Sequence, residues 1–99
     1  MTSPYAIDER DKLWIAQVIR AYLPKCKILA FGSRIQGNAR KYSDLDLAID
    51  CKKLVPLLEL GHLREVFSES NLLFKVDLVD FQSVDPNFQQ IIQNTSQEW

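Results

Sequence analysis

Residues 44–51, DLDLAIDC, alternate strictly, and no other stretch constrains the fold as much. In an extended chain Leu45, Leu47 and Ile49 fall on one side, and Asp44, Asp46, Ala48 and Asp50 on the other. The first side covers a core. The second carries two carboxylates at i and i+2, spaced about 6.6 Å along the strand. A sheet with one apolar face and an acidic row on the other is the frame into which the remaining chain has to fit.

The flanking segments supply its partners. Ile15, Val18, Ile19 and Tyr22 repeat at helical spacing, with Asp8, Glu9 and Asp11 in the first turn and Pro24 as a stop, so a helix is expected over about 8–23. The apolar run Ile28–Phe31, ended by Gly32, reads as a buried strand. Residues 33–43, SRIQGNARKYS, suit a loop with at most one or two helical turns. From Pro56 to Ser70 the spacing is helical again, with Leu57, Leu60, Leu63 and Phe67 as the apolar stripe and Pro56 at an early helical position. Leu72–Phe81 reads as a third strand. Asp85, a good N-cap, opens a last helix with Pro86 that runs to about Asn94. No linker, repeat or low-complexity tract interrupts the order, so the 99 residues are expected to form one α/β domain.

Composition narrows the function classes. Twelve basic against thirteen acidic residues leave a formal net charge of -1, which argues against a dedicated nucleic-acid binder. No apolar run approaches the roughly 20 residues of a membrane span, and MTSPYAIDERDK lacks the basic-then-apolar order of a signal peptide. Gly32, Gly37 and Gly61 cannot spell G-x-G-x-x-G or a P-loop. The two cysteines, Cys26 and Cys51, are expected to be buried reduced thiols, with the cytoplasm as the compartment. Zinc is disfavoured, since His62 is the one histidine and no C-x-x-C occurs; a surface or packing role is expected for it.

Three features carry chemistry when taken together: Gly32-Ser33 at the end of a buried strand, the pair Asp44 and Asp46, and Asp77 inside the apolar Val76–Val79. Alone, Gly-Ser is an ordinary turn, Asp-x-Asp an ordinary solvated face, and Asp77 a carboxylate awaiting a basic partner such as Lys75. Two unit charges about 4 Å apart repel by roughly 4 kcal/mol at an effective dielectric of 20, so three carboxylates on one sheet face call for compensating cations. Mg²⁺ suits oxygen ligands and leaves positions for phosphates, and two such ions can serve an in-line displacement. Gly32 lets a polyphosphate approach the backbone, the following N–H groups point at anions, the Ser33 hydroxyl adds a donor, and Arg34 could add charge. Asp80 has the opposite strand parity to Asp77 and is not placed in the site; Asp50, near the strand end, suits capping or surface.

GSRIQGNARKYSDLDLAI, from Gly32 to Ile49, resembles the signature of the minimal nucleotidyltransferases of the DNA-polymerase-β-like superfamily, including Arg34, Gly37 and Ser43. Asp77, flanked by apolar residues, matches the third acidic residue of that group, and FSESNLLFKVDLVDF resembles its third-strand region. The resemblance covers essentially the whole chain. It implies a small mixed β-sheet flanked by helices, with Asp44, Asp46 and Asp77 holding two Mg²⁺ ions and Gly32, Ser33 and Arg34 binding the nucleotide. The implied reaction transfers AMP from ATP to a hydroxyl and releases pyrophosphate. Members this short are often encoded beside a small helical HEPN-type RNase toxin, so the resemblance implies an antitoxin that adenylylates a tyrosine of such a partner. Two other readings stay open: a non-catalytic antitoxin that occludes its partner, and a catalytic subunit acting on a small hydroxyl compound with a helical substrate-binding partner. One small domain leaves little chain for an acceptor pocket, and Trp14, Phe67, Phe74, Phe88 and Trp99 are candidates for a partner surface, with core packing favoured for Phe67 and Phe88.

Overall fold

The computed structural model describes residues 7–99, and the reading of the first six residues as no leader segment lies outside them. The chain runs through helix α1 (Glu9–Tyr22), strand β1 (Lys27–Phe31), the single-turn helix α2 (Ser33–Gln36) and strand β2 (Leu45–Asp50). Helix α3 (Leu57–Ser68), strand β3 (Val76–Asp80), a 3₁₀ turn at Phe81–Ser83, helix α4 (Pro86–Thr95) and strand β4 (Gln97–Glu98) follow. The strand order is β3-β2-β1-β4, with β1 antiparallel to β2 and β4, and β2 parallel to β3. A parallel pair needs a crossover, and α3 supplies it.

The alternation in β2 sorts the two faces as expected. Leu45, Leu47 and Ile49 join Ile28, Ala30, Val76 and Leu78 in a core closed by Ile15 and Ile19 of α1 and by Leu60, Leu63 and Phe67 of α3. The opposite face is thinner: Phe31, Ala48, Phe81 and Ile92 pack there, with Val79 and Phe88 partly buried against them. Leu47 is fully buried in the central strand, and truncation to alanine would cost about 2–5 kcal/mol. The helix starts follow local chemistry. Asp8 accepts from the Arg10 N–H at 2.7 Å and Asp85 from the Phe88 N–H at 2.9 Å, with Pro86 in the first turn of α4.

Four expectations need correction. Leu57 is 84% exposed in the first turn of α3, and the stripe is made by Leu60, Leu63 and Phe67 without it. The third strand starts at Val76 rather than Leu72; residues 72–75 precede the β2 ladder, and Leu72 and Phe74 pack on the core edge as a connection. A fourth strand exists that the polar Gln97-Glu98 gave no sign of, held by pairing of Leu29 with Glu98 and Ala30 with Gln97. Finally, Cys26 and Cys51 are not reduced thiols but a disulfide. Lys27 pairs with Asp50 in the antiparallel ladder, so the next residue outward on each strand is a cysteine facing the other.

Candidate active site

The site residues gather where β1 ends and β2 begins. Phe31 of β1 pairs with Asp46 of β2, and Asp46 pairs with Asp77 of β3, so one row across three strands reads Phe31, Asp46, Asp77. Residues in register on neighbouring strands share a face about 4.8 Å apart. The two aspartates therefore stand side by side on the thinner face, beyond the area that α4 covers through the Phe31–Phe88 edge contact at 5.7 Å. Asp44 lies just before β2 and is exposed.

The three charges act on one another. Burial first, then the Asp77 charge, then the Asp44 charge push the Asp46 carboxyl up to about 6. Among the described residues no basic side chain lies within ion-pair distance of Asp77, so the salt bridge that would have explained it as structural is not formed. The cluster is negative, with the Arg34 guanidinium felt at Asp44 only, and its donors are all carboxylate oxygens, the chemistry of a hard divalent cation. The headgroups do not close into a finished cage: no group of three or more His, Cys, Asp or Glu among the described residues is set to hold a metal ion as it stands.

Gly32 sits directly after β1 with φ +84°, a backbone conformation that L side chains rarely adopt. A Cβ there would overlap the Asp46 Oδ2 and lie 3.2 Å from its Cγ. The glycine is thus required by close approach of the Asp46 carboxylate, in addition to any room it leaves for phosphate. Ser33 opens α2, is half-buried, and its hydroxyl has no hydrogen-bond partner among the described residues. Gly32 caps this turn without a side chain, and its carbonyl accepts the Ile35 and Gln36 N–H groups at 3.1 and 3.0 Å. Gly37, left-handed at φ +86°, ends the turn.

Arg34 is not the exposed loop cation that its polar neighbours suggest. It is 6% exposed. Its Nε donates to the Ser43 carbonyl at 2.7 Å and its Nη2 to the Lys41 carbonyl at 3.1 Å, while the guanidinium lies 4.5 Å over the Phe74 ring. Burial lowers its pKa from the ordinary arginine value, and the Asp44 charge works the other way. Ser43 completes the clasp by accepting the Arg40 N–H on its hydroxyl at 2.8 Å. Arg34 and Ser43 therefore hold the loop that delivers Asp44, and Phe74 is the aromatic platform beneath; the motif spacing gave both residues but not this job.

The remaining acids fall as expected. Asp80, buried, accepts the Val55 N–H at 2.8 Å and the Gln82 N–H at 3.1 Å and ties two loops together. Asp50 accepts from the Lys52 N–H and the Gln82 side chain at the far end of β2. His62 is exposed on α3 beside Tyr22. Of the aromatic candidates, Phe67 is buried in the core with Trp14 against it at 5.8 Å, and Trp99 is partly buried against the same core. A cavity of about 560 Å³ lies along β3 and α3 and includes Asp77 in its lining, but not Gly32, Ser33, Asp44 or Asp46.

A mixed sheet that sets paired carboxylates beside a Gly-Ser turn is the arrangement of a nucleotidyltransferase, and residues 15–98 match the family model described as "Polymerase beta, Nucleotidyltransferase". The chain belongs to that family. It is 40% identical over 94 residues to a probable protein adenylyltransferase MntA of Haemophilus influenzae, covering 93% of this chain and 82% of the relative. It is also similar to a solved toxin-antitoxin with AMP-PNP (TM-score 0.76, 26% identity, 93% of this chain and 73% of that one). A mutant of the toxin-antitoxin MntA-HpeT has a TM-score of 0.73 at 26% identity, over 94% of this chain and 72% of that one.

Proposed function

We propose that the chain is the adenylyltransferase antitoxin of a two-protein pair: it binds ATP with Mg²⁺ and transfers AMP to a hydroxyl of a HEPN-type toxin. The observation that carries this reading is the register of Asp46 with Asp77 on a face that Gly32 leaves open. The relatives support the nucleotide and the partner: one is a probable protein adenylyltransferase, and others are toxin-antitoxin structures, one of them with AMP-PNP. Among the described residues no helix is long and apolar enough to cross a membrane.

In this reading Asp44, Asp46 and Asp77 would hold two Mg²⁺ ions. Bound there, the ions supply charge neutralisation for the phosphates and for the oxygens that gain charge. Ser33, with its hydroxyl and the opening amides of α2, binds the triphosphate chain. The acceptor oxygen forms a bond to the α-phosphorus as the bond from that phosphorus to the bridging β-phosphate oxygen breaks. Pyrophosphate leaves, and the hydroxyl proton passes to an Asp77 carboxylate oxygen. Arg34 fixes the approach of Asp44 through the 41–43 backbone.

The test uses ATP labelled at the α-phosphate, Mg²⁺ and the purified HEPN-type partner. The expected outcome is label on one tyrosine of the partner, found by mass spectrometry, and none with Asp44→Asn/Asp46→Asn. Protection of cells by that double variant without any adduct would favour plain occlusion. Turnover of a small alcohol with no labelled protein would favour the small-molecule reading.

A further inference from the structure

β3 is the terminal strand of the sheet, paired with β2 on one side only. The Leu45 N–H bonds the Lys75 carbonyl at 2.8 Å. In a parallel ladder that phase turns the main-chain groups of residues 75, 77 and 79 toward β2 and those of Val76 and Leu78 outward. One outward acceptor is already used, since Arg64 of α3 donates Nη2 to the Leu78 carbonyl at 3.0 Å. The Val76 N–H and carbonyl and the Leu78 N–H lie outside the β2 ladder, beside the cavity of about 560 Å³ that Arg64, Phe67, Phe74, Lys75 and Asp77 help to line. An edge strand with unpaired groups is a template for a further strand.

We propose that this edge receives an extended segment of the acceptor polypeptide, which pairs with Val76 and Leu78 and sets its hydroxyl-bearing residue beside Asp77. The proposal rests on the reading that the acceptor is a protein. Its force comes from register. A strand added to β3 would place one residue opposite Asp77, about 4.8 Å away, with its side chain on the same face as the carboxylates. The row Phe31, Asp46, Asp77 would then continue into the substrate.

The residues before and after it would point to the opposite face, into the cavity between β3 and α3. Phe67, Leu72 and Phe74 there take an apolar side chain, and Arg64 attracts an acidic one, while Lys75, two residues before Asp77, stands at the rim. A cavity of this size has room for one or two large side chains. The recognised segment is therefore a hydroxyl residue flanked by an apolar and an acidic neighbour. Backbone pairing sets its depth, and the positive charge of Arg64 and of Lys75 at the rim favours that composition over a basic one. Nothing in this arrangement draws on Gly32, Ser33 or Asp44, so acceptor recognition and nucleotide binding use separate residues.

Hydrogen exchange on the complex with the HEPN-type partner, without nucleotide, reads the docking directly. The Val76 and Leu78 amides are expected to slow at least tenfold on complex formation, while those of Ile28 and Ala30 in β1 stay unchanged. Lys75→Glu, at an exposed position, and Arg64→Glu/Lys75→Glu are expected to raise the KM for the partner at least tenfold with the KM for ATP unaltered. Thermal unfolding of Lys75→Glu identifies any loss of fold. Unchanged exchange at Val76 and Leu78 in the complex, or a wild-type KM for the partner in Lys75→Glu, overturns the proposal. Protection of the two amides with no label transfer by the wild-type chain would support the docking edge and count against the transfer reading alone.

Discussion

The carboxylate of Asp46 occupies the volume that a side chain on Gly32 would need. The two halves of the signature, 14 positions apart in sequence, are therefore one steric unit, joined because Phe31 pairs with Asp46 and the chain turns at the next residue. Gly32→Ala is expected to displace Asp46 and also to strain the backbone at φ +84°. Together these should cost about 2 kcal/mol or more of stability and nearly all activity. Gly37→Ala is the control: its φ is +86°, but nothing lies within 4 Å of the added atom. It should cost only about 1 kcal/mol and leave most activity. Chemical denaturation and transfer rates on both variants check the contrast.

The pH dependence of Asp46 follows from its raised pKa. The unfolded chain releases this proton near the ordinary carboxylate value and the folded chain near 6, so the folded state binds more protons between the two. Its contribution to stability is fully present below about 4 and is lost as pH rises to about 6. Asp46→Asn should therefore melt at the same temperature as wild type near pH 4. It should melt increasingly above wild type toward pH 6.5, in the absence of divalent cations. Equal melting temperatures across that range would show that the carboxylate is not held in a repulsive cluster.

Arg34 gives a prediction that separates a phosphate ligand from a loop clasp. Removing a buried guanidinium that serves two carbonyls and stacks on Phe74 should cost about 2–4 kcal/mol in Arg34→Ala. Arg34→Lys keeps the charge but not the forked geometry. It should lower kcat roughly tenfold or more by loosening the approach of Asp44. Hydrogen exchange at residues 41–43 should rise in both variants, with the KM for ATP little changed. A selective loss of ATP affinity without faster exchange would restore the phosphate role.

Cys26 and Cys51 pair across the end of the β1–β2 ladder remote from the acids. A link spanning 25 residues stabilises a chain by roughly 3 kcal/mol through the unfolded state. Cys26→Ser/Cys51→Ser should lower the melting temperature markedly while leaving transfer activity at moderate temperature unchanged. Alkylation of the unreduced protein, read by mass spectrometry, should find neither thiol free.

Much of this was legible in the chain. β2 announced itself by alternation, and Asp77 by being a charge among valines and leucine, because both signals are local and set by which face meets the core. What was not legible depends on partners distant in sequence. The disulfide is decided by β1–β2 register, and β4 is two polar residues that become a strand only through contact with Leu29 and Ala30. Arg34 was read by residue type, and its burial arises only when the 41–43 backbone and Phe74 close over it. Leu57 belonged to the periodic stripe, yet it is exposed where Leu60, Leu63 and Phe67 are buried, so periodicity alone overstated the buried face.

The central claim is that Asp44, Asp46 and Asp77 form a single reaction centre beside Ser33. Single-turnover transfer from α-labelled ATP to the HEPN-type partner, measured for Asp44→Asn, Asp46→Asn and Asp77→Asn with the fold of each checked by circular dichroism, tests it most directly. Each substitution is predicted to slow transfer by roughly 100-fold or more, since each removes charge from the same transition state. It is also predicted that combining them costs far less than the product of the single losses. Any one variant transferring AMP at the wild-type rate would contradict the account.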